Sequence, residues 1–170
     1  MHSTFLDALT ELLQPMQARA PHDGDAGFLA RLYASTRADL QSLTADPALV
    51  DSIIGMQQRF QATGYGRDYP GADYLVLEHE AAPCGRIVVD AGPAALRLVD
   101  IALLPEARGQ GLGRHVLRAL QGCALRRGVP VTLSVHHANP RARHLYLSLG
   151  FQSTTRTELS EQMLWSNVAP

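Results

Sequence analysis

Three glycines at alternate positions, Gly109, Gly111 and Gly113, stand between an alternating apolar pattern that stops at Pro105 and a helical pattern that begins near Gly111. A strand that passes into a helix through such a loop bares its backbone, because glycine has no Cβ to hold a ligand away. The amides of the first helical turn lack partners within the helix and point at that ligand, and the helix dipole favours negative charge there. Arg108 and Arg114 flank the loop and add full positive charge. The segment therefore predicts a pyrophosphate cradle built from backbone. Two other phosphate loops are excluded by the letters. All 15 Lys/Arg positions are arginine, so a lysine-bearing phosphate loop cannot form, nor can a lysine Schiff base. A dinucleotide fingerprint needs its third glycine one residue later and a parallel β-α-β unit, whereas the strands before this loop are joined by short turns.

The charge distribution points the same way. A net charge of −1 conceals 14 acids against 7 arginines in residues 1–106 and 8 arginines without one acid in residues 107–157. The acid-free stretch contains the glycine loop and is expected to face an anion. An arginine-rich helix carrying Arg114, Arg118, Arg126 and Arg127 would also suit nucleic-acid phosphates. No aromatic platform or known nucleic-acid module accompanies it, so nucleic acid is disfavoured as a partner. No apolar run approaches a membrane span. The start Met1-His2-Ser3-Thr4-Phe5 lacks a secretory pattern. Cys84 and Cys123 are too few and too far apart for a disulfide scaffold or a cysteine-rich zinc site. The default setting is cytoplasmic.

Periodicity maps the rest as one domain. Phe5, Leu6, Leu9, Leu12 and Leu13 recur at helical spacing, and residues 1–15 read as an amphipathic extension before a domain over 16–166. Such a helix needs a surface to bury its face, either the domain or a second copy, so a homodimer through residues 3–14 is an expectation. A short strand over 16–20 follows. A helix opens near Asp25 and runs through Leu40, and a second opens at Asp46-Pro47 and continues to Phe60. Residues 64–71 read as a loop on their glycines and proline. Strands at 73–80, 84–90 and 96–104 form a meander with a turn at 81–83. A helix from Gly111 to Arg127, a strand at 131–136, a helix capped by Asn139 with Pro140 behind it, and a hairpin at 151–157 and 161–166 complete the chain.

These residues resemble a known family. Arg108-Gly109-Gln110-Gly111-Leu112-Gly113 matches the Q/R-x-x-G-x-G/A signature of the GNAT superfamily of CoA-dependent N-acyltransferases. The run from Asn139 through Ala142, Leu145 and Tyr146 to Gly150-Phe151 is similar to that superfamily's N-x-x-A-x-x-L-Y-x-x-x-G-F. The stretch from Arg31 to Arg37 is similar to a bacterial branch of it. The resemblance implies an α/β (α+β) fold: a mixed, mostly antiparallel sheet, splayed at its middle strands and flanked by helices. It implies acetyl-CoA as co-substrate, no metal, and direct attack of an amine on the thioester. The exposed edge would be Ile101 to Leu104, facing Leu133 to Val135, with the Leu103 amide polarising the thioester carbonyl. The pyrophosphate would rest on Arg108, Gly109, Gln110, Gly111, Leu112, Gly113 and Arg114, and Asn139 would reach the pantetheine arm. Tyr146 occupies the position of the family's general acid.

The proton acceptor is open. Some relatives carry a glutamate five residues before the asparagine, and here that position is Ser134. Asp100, His136 and Glu78 are the alternatives, with Asp100 and His136 at the ends of the parting strands. His137 and His144 are expected to be solvated or near phosphate. The acceptor would be a primary amine of a small molecule, an amino acid or a peptide N-terminus, met by Tyr33, Arg37, Tyr65, Arg67 and Tyr69 in the acidic half. A non-catalytic acyl-CoA sensor is the alternative, in which the glycine loop would persist and Tyr146 need not.

Overall fold

The computed structural model describes residues 2–42 and 46–167, so Met1 of the expected extension lies outside the described residues. Seven strands form one sheet in the order β1-β2-β3-β4-β5-β7-β6. In chain order these are β1 (Gln17–Arg19), β2 (Asp73–His79), β3 (Ala82–Ala91), β4 (Leu96–Leu103), β5 (Val131–His136), β6 (Gln152–Arg156) and β7 (Ser160–Trp165). The helices are α1 (His2–Leu13), α2 (Ala26–Ser35), α3 (Ala38–Gln41), α4 (Pro47–Asp68), α5 (Leu112–Arg127) and α6 (Pro140–Ser148). Every strand pair is antiparallel except β4 with β5.

The main core lies between one face of the sheet and helices α1 and α5. Phe5, Leu9 and Leu13, spaced four residues apart on α1, are buried in it with Val116, Leu117, Leu120 and Ala124 of α5 and with Leu75, Leu77, Ile87 and Leu98 of the sheet. Two polar contacts fix the helix pair. Arg126 holds Glu11 at 2.8 Å, and His115 Nε2 meets the Leu13 carbonyl at 2.7 Å. The apolar face of α1 is therefore covered within the chain, and its burial does not call for a second copy. A smaller apolar cluster of Tyr33, Val50 and Ile54 joins α2 to α4.

Three sequence expectations are corrected. The helix begun at Asp25 stops at Ser35, where the Ser35 and Thr36 hydroxyls bond carbonyls three residues back and compete with the helical ladder. The turn after β2 lies at Glu80-Ala81, both at positive φ, rather than at residues 81–83. Residues 64–68 continue α4 instead of forming a loop. Gly64 and Gly66 each cost a helix about 1 kcal/mol. Tertiary contact overrides that cost, because Tyr65 between them is drawn into a polar cluster over the sheet, where burial raises its phenol pKa. No helix among the described residues is long and apolar enough to cross a membrane.

Because Leu9 is 1% exposed at the centre of the α1–α5 contact, Leu9→Ala should cost about 2–5 kcal/mol. Urea denaturation followed by circular dichroism measures that loss. A cost near zero would show that α1 does not contribute to this core.

Candidate active site

The site begins where β4 and β5 part. They pair only at Leu96–Leu98 with Val131–Leu133. At that point β4 carries a bulge against β3, where Val88 faces Asp100 and Val89 faces Leu98, leaving Val99 without a partner. A bulge bends its strand and increases the local twist, which turns the end of β4 away from β5. The gap thus opens at Ser134 of β5, since Leu133 is still paired, one residue later than the sequence suggests.

The freed edge has a definite polarity. The Leu104 amide donates to the Cys84 carbonyl at 2.9 Å. In an antiparallel ladder alternate residues turn their N–H and C=O to opposite sides. Ile101 and Leu103 therefore aim theirs away from β3, into the gap. Gly85 makes this packing possible: a Cβ there would lie 2.5 Å from the Ala102 carbonyl oxygen.

A cavity of about 610 Å³ runs from this edge across the glycine loop to α6. Gly109 and Gly111 hold φ of 77° and 82°, which L side chains adopt only with strain. The first bond of α5 is donated by the His115 amide to Gly111 at 3.0 Å. The amides of Leu112, Gly113 and Arg114 precede it and have no intrahelical acceptor. Arg108, Arg114 and Arg141 line the same cavity and make its wall cationic, with His144 beside them. Gln110 and Leu112 differ from the other loop residues. The Gln110 side chain bonds the Glu106 carbonyl, and the Leu112 side chain enters the core, so only their backbone can serve an anion. The remaining arginines of the acid-free stretch are partly engaged elsewhere: Arg126 with Glu11, Arg143 and Arg156 with Glu161, and Arg127 with the Gly92 carbonyl.

A smaller cavity of about 120 Å³ fills the gap itself, lined by Asp100, Ile101, Ser134, His136, Asn139 and Tyr146 among others. Asn139 caps α6 through the Ala142 amide and borders both cavities, so cap and ligand roles coexist. Tyr146 also borders both. Burial pushes its phenol up to about 12, with the charge of Asp100 adding to the shift, so the hydroxyl keeps its proton.

The proposed bases fare differently. Glu78 is held by Arg19 at 2.7 Å on β2, beside the edge strand β1 and two strands from β4, and is not brought to the site. His136 Nδ1 accepts from the Ala138 amide, which leaves the proton of the neutral ring on Nε2, so this ring enters the gap as a donor. Asp100 is paired with Arg86 at 2.6 Å and still borders the gap. Arg86 and Arg141 are site residues that the sequence reading missed. An arginine inside the apolar strand Cys84-Gly85-Arg86-Ile87-Val88-Val89 is a signal that a buried partner exists. Among the described residues no cluster of three or more His, Cys, Asp or Glu side chains is arranged to hold a metal ion.

The profile of the acetyltransferase (GNAT) domain matches residues 70–153, which span the bulged strand, the glycine loop and α6. Thialysine N-epsilon-acetyltransferase of Bos taurus is 30% identical over 154 residues, covering 82% of this chain and 86% of the relative. The chain belongs to the GNAT acetyltransferase family. It is an N-acetyltransferase that transfers an acetyl group from acetyl-CoA to an amine, and the non-catalytic reading is not favoured. A putative ribosomal protein bS18-alanine N-acetyltransferase of Bacillus subtilis is 38% identical over 88 residues, 49% of this chain and 56% of that one. The fold of this GNAT protein is shared by the PaiA N-acetyltransferase of Thermoplasma acidophilum, solved in complex with coenzyme A. The TM-score is 0.65 at 15% identity, over 89% of this chain and 98% of the other.

Helix α6 is anchored by Glu161 of β7, which is 1% exposed and lies 2.6 Å from Arg143 and 3.4 Å from Arg156. The Arg143 hydrogen bond lowers the Glu161 carboxyl from 4.5 to about 2. Its contribution is complete above the unfolded value and declines as pH falls toward the folded one. Stability should therefore drop between pH 4.5 and about 2. Denaturant midpoints measured across that range should fall less steeply for Glu161→Gln than for the parent; parallel slopes would remove Glu161 from this role.

Proposed function

We propose that this enzyme acetylates the terminal amine of a slender small molecule, an aminoalkyl chain such as that of thialysine. Support comes first from the two cavities. The larger one suits acetyl-CoA, and it meets the smaller one at Tyr146 and Asn139, so an amine must arrive through a gap of about 120 Å³. That volume is well below the several hundred Å³ of drug-sized pockets. The thialysine acetyltransferases of Bos taurus, Mus musculus and Sus scrofa, 27–30% identical to this chain, support the same acceptor class.

The roles follow from where each group points. Acetyl-CoA brings an acyl thioester. The amides of Leu112, Gly113 and Arg114, with Arg108, Arg114 and Arg141, hold its diphosphate. The Ile101 and Leu103 edge aligns its arm, and Asn139 borders it. The Leu103 N–H stabilises negative charge on the carbonyl oxygen as the amine nitrogen bonds to the acyl carbon. Asp100 Oδ1, free of any hydrogen-bond partner among the described residues, accepts the proton the amine must lose. As the carbon–sulfur bond breaks, Tyr146 gives its proton to the departing sulfur. One proton gained at Asp100 balances one lost at Tyr146, and exchange through the shared gap restores both. His136 Nε2–H serves as a donor to the incoming acceptor. Two buried free cysteines, Cys84 and Cys123, accord with a cytoplasmic setting.

Tyr146→Phe should lower kcat about 100-fold while leaving the acetyl-CoA Kd unchanged, as calorimetry and a thiol-release assay would show. Parent-like turnover would remove Tyr146 as the acid. Thialysine, lysine, linear polyamines and peptide N-termini should be compared in the same assay. Turnover confined to peptides would overturn the small-amine reading.

A further inference from the structure

We propose that Arg86 is a positioning residue for the acceptor amine: it grips one oxygen of Asp100 and thereby presents the other to the gap. This rests on the reading of Asp100 as the group that takes the acceptor's proton. Arg86 lies on β3 diagonally across from Asp100 on β4, on the same face of the sheet. It is 2% exposed. Both its Nε, at 2.8 Å, and its Nη2, at 2.6 Å, reach Asp100 Oδ2. A pairing in which two donors share one oxygen leaves Oδ1 unengaged, whereas a side-on pair would have used both.

The guanidinium is itself fixed from two further elements. Its Nη1 donates to the Tyr74 hydroxyl of β2 at 3.1 Å, and its Nη2 reaches Gln61 Oε1 of α4 at 3.3 Å. The cation also stands 5.6 Å from the centre of the Tyr74 ring. Asp100 is thus tied through one side chain to β2, β3 and α4, at the residue that follows the bulge. The gap and the acceptor carboxylate are set by the same stretch of β4.

The electrostatics agree with the geometry. The groups around Asp100 are Arg86 on β3, Tyr74 on β2, Tyr65 on α4, Tyr146 on α6 and His136 on β5. Arg86 is the one permanent cation in that set. Removing that cation removes the charge that favours the carboxylate form.

The test uses Arg86→Gln, Arg86→Lys and Asp100→Asn, with kcat/KM for the amine followed against pH and acetyl-CoA binding followed by calorimetry. Arg86→Gln should lose about tenfold or more in kcat/KM, and its acid limb should move about one unit or more to higher pH. Arg86→Lys retains the charge without the two-donor grip. It should keep the parent's acid limb and lose kcat about threefold or more. The acetyl-CoA Kd should stay within about twofold of the parent in both. If Arg86→Gln does not fold, Arg86→Lys decides. A parent-like kcat in Arg86→Lys, or a parent-like profile in folded Arg86→Gln, overturns the proposal while an inactive Asp100→Asn leaves the role of Asp100 standing. An active Asp100→Asn overturns the role of Asp100 itself, and the Arg86 proposal with it.

Discussion

The early parting of β4 from β5 is the constraint on which the site depends. Three paired residues and one bulge leave the backbone of Ile101 and Leu103 without a neighbouring strand. Unpaired backbone groups inside a sheet are costly unless something pairs with them. Here the edge left open by that parting runs directly into the glycine loop, which supplies amides at the helix end, and Arg108 Nε takes the Leu103 carbonyl. Strand edge and helix start are consecutive in the chain, so one short segment presents both to the larger cavity.

Charge is arranged in two compartments. On the loop side, Arg108, Arg114, Arg141 and His144 surround a cavity that also exposes helix-start amides. On the gap side, one buried arginine is matched by one aspartate, and phenols surround the pair. The first compartment attracts an anion over distance; the second keeps a single carboxylate oxygen in place and little net charge. Within the first compartment Arg108 braces the strand end, since its Nε bonds the Leu103 carbonyl at 2.8 Å and its Nη2 the Ser35 hydroxyl of α2 at 3.1 Å.

Local signals read well wherever short-range chemistry decides. Asp46 and Asn139 act as helix caps as their positions suggest, with bonds to Ala48 and Ala142. Gly128 ends α5 in the left-handed conformation expected of a terminal glycine. The strand at residues 131–136 was legible too, and the resemblance to the GNAT superfamily implied the parting of the middle strands. Misreadings occurred where distant residues override local preference. Gly64 and Gly66 sit inside α4, whose Tyr65 lies near Asp100, Arg86 and Tyr74, rather than in the loop their local preference suggests.

From its letters alone, this chain determined the glycine-bared start of α5 and the cap of α6, and its resemblance to a known family singled out the tyrosine at the junction of the two cavities. The first two are properties of spacing: a glycine or a capping side chain at the right step. The tertiary structure alone decided which partners each candidate base already holds. Asp100, His136 and Glu78 are equivalent as letters, but Arg19 claims Glu78, the Ala138 amide claims His136 Nδ1, and Arg86 claims only one oxygen of Asp100. A side chain's capacity to take a proton depends on the partners it already has. For Glu78 and Asp100, those partners come from strands and loops remote in the sequence.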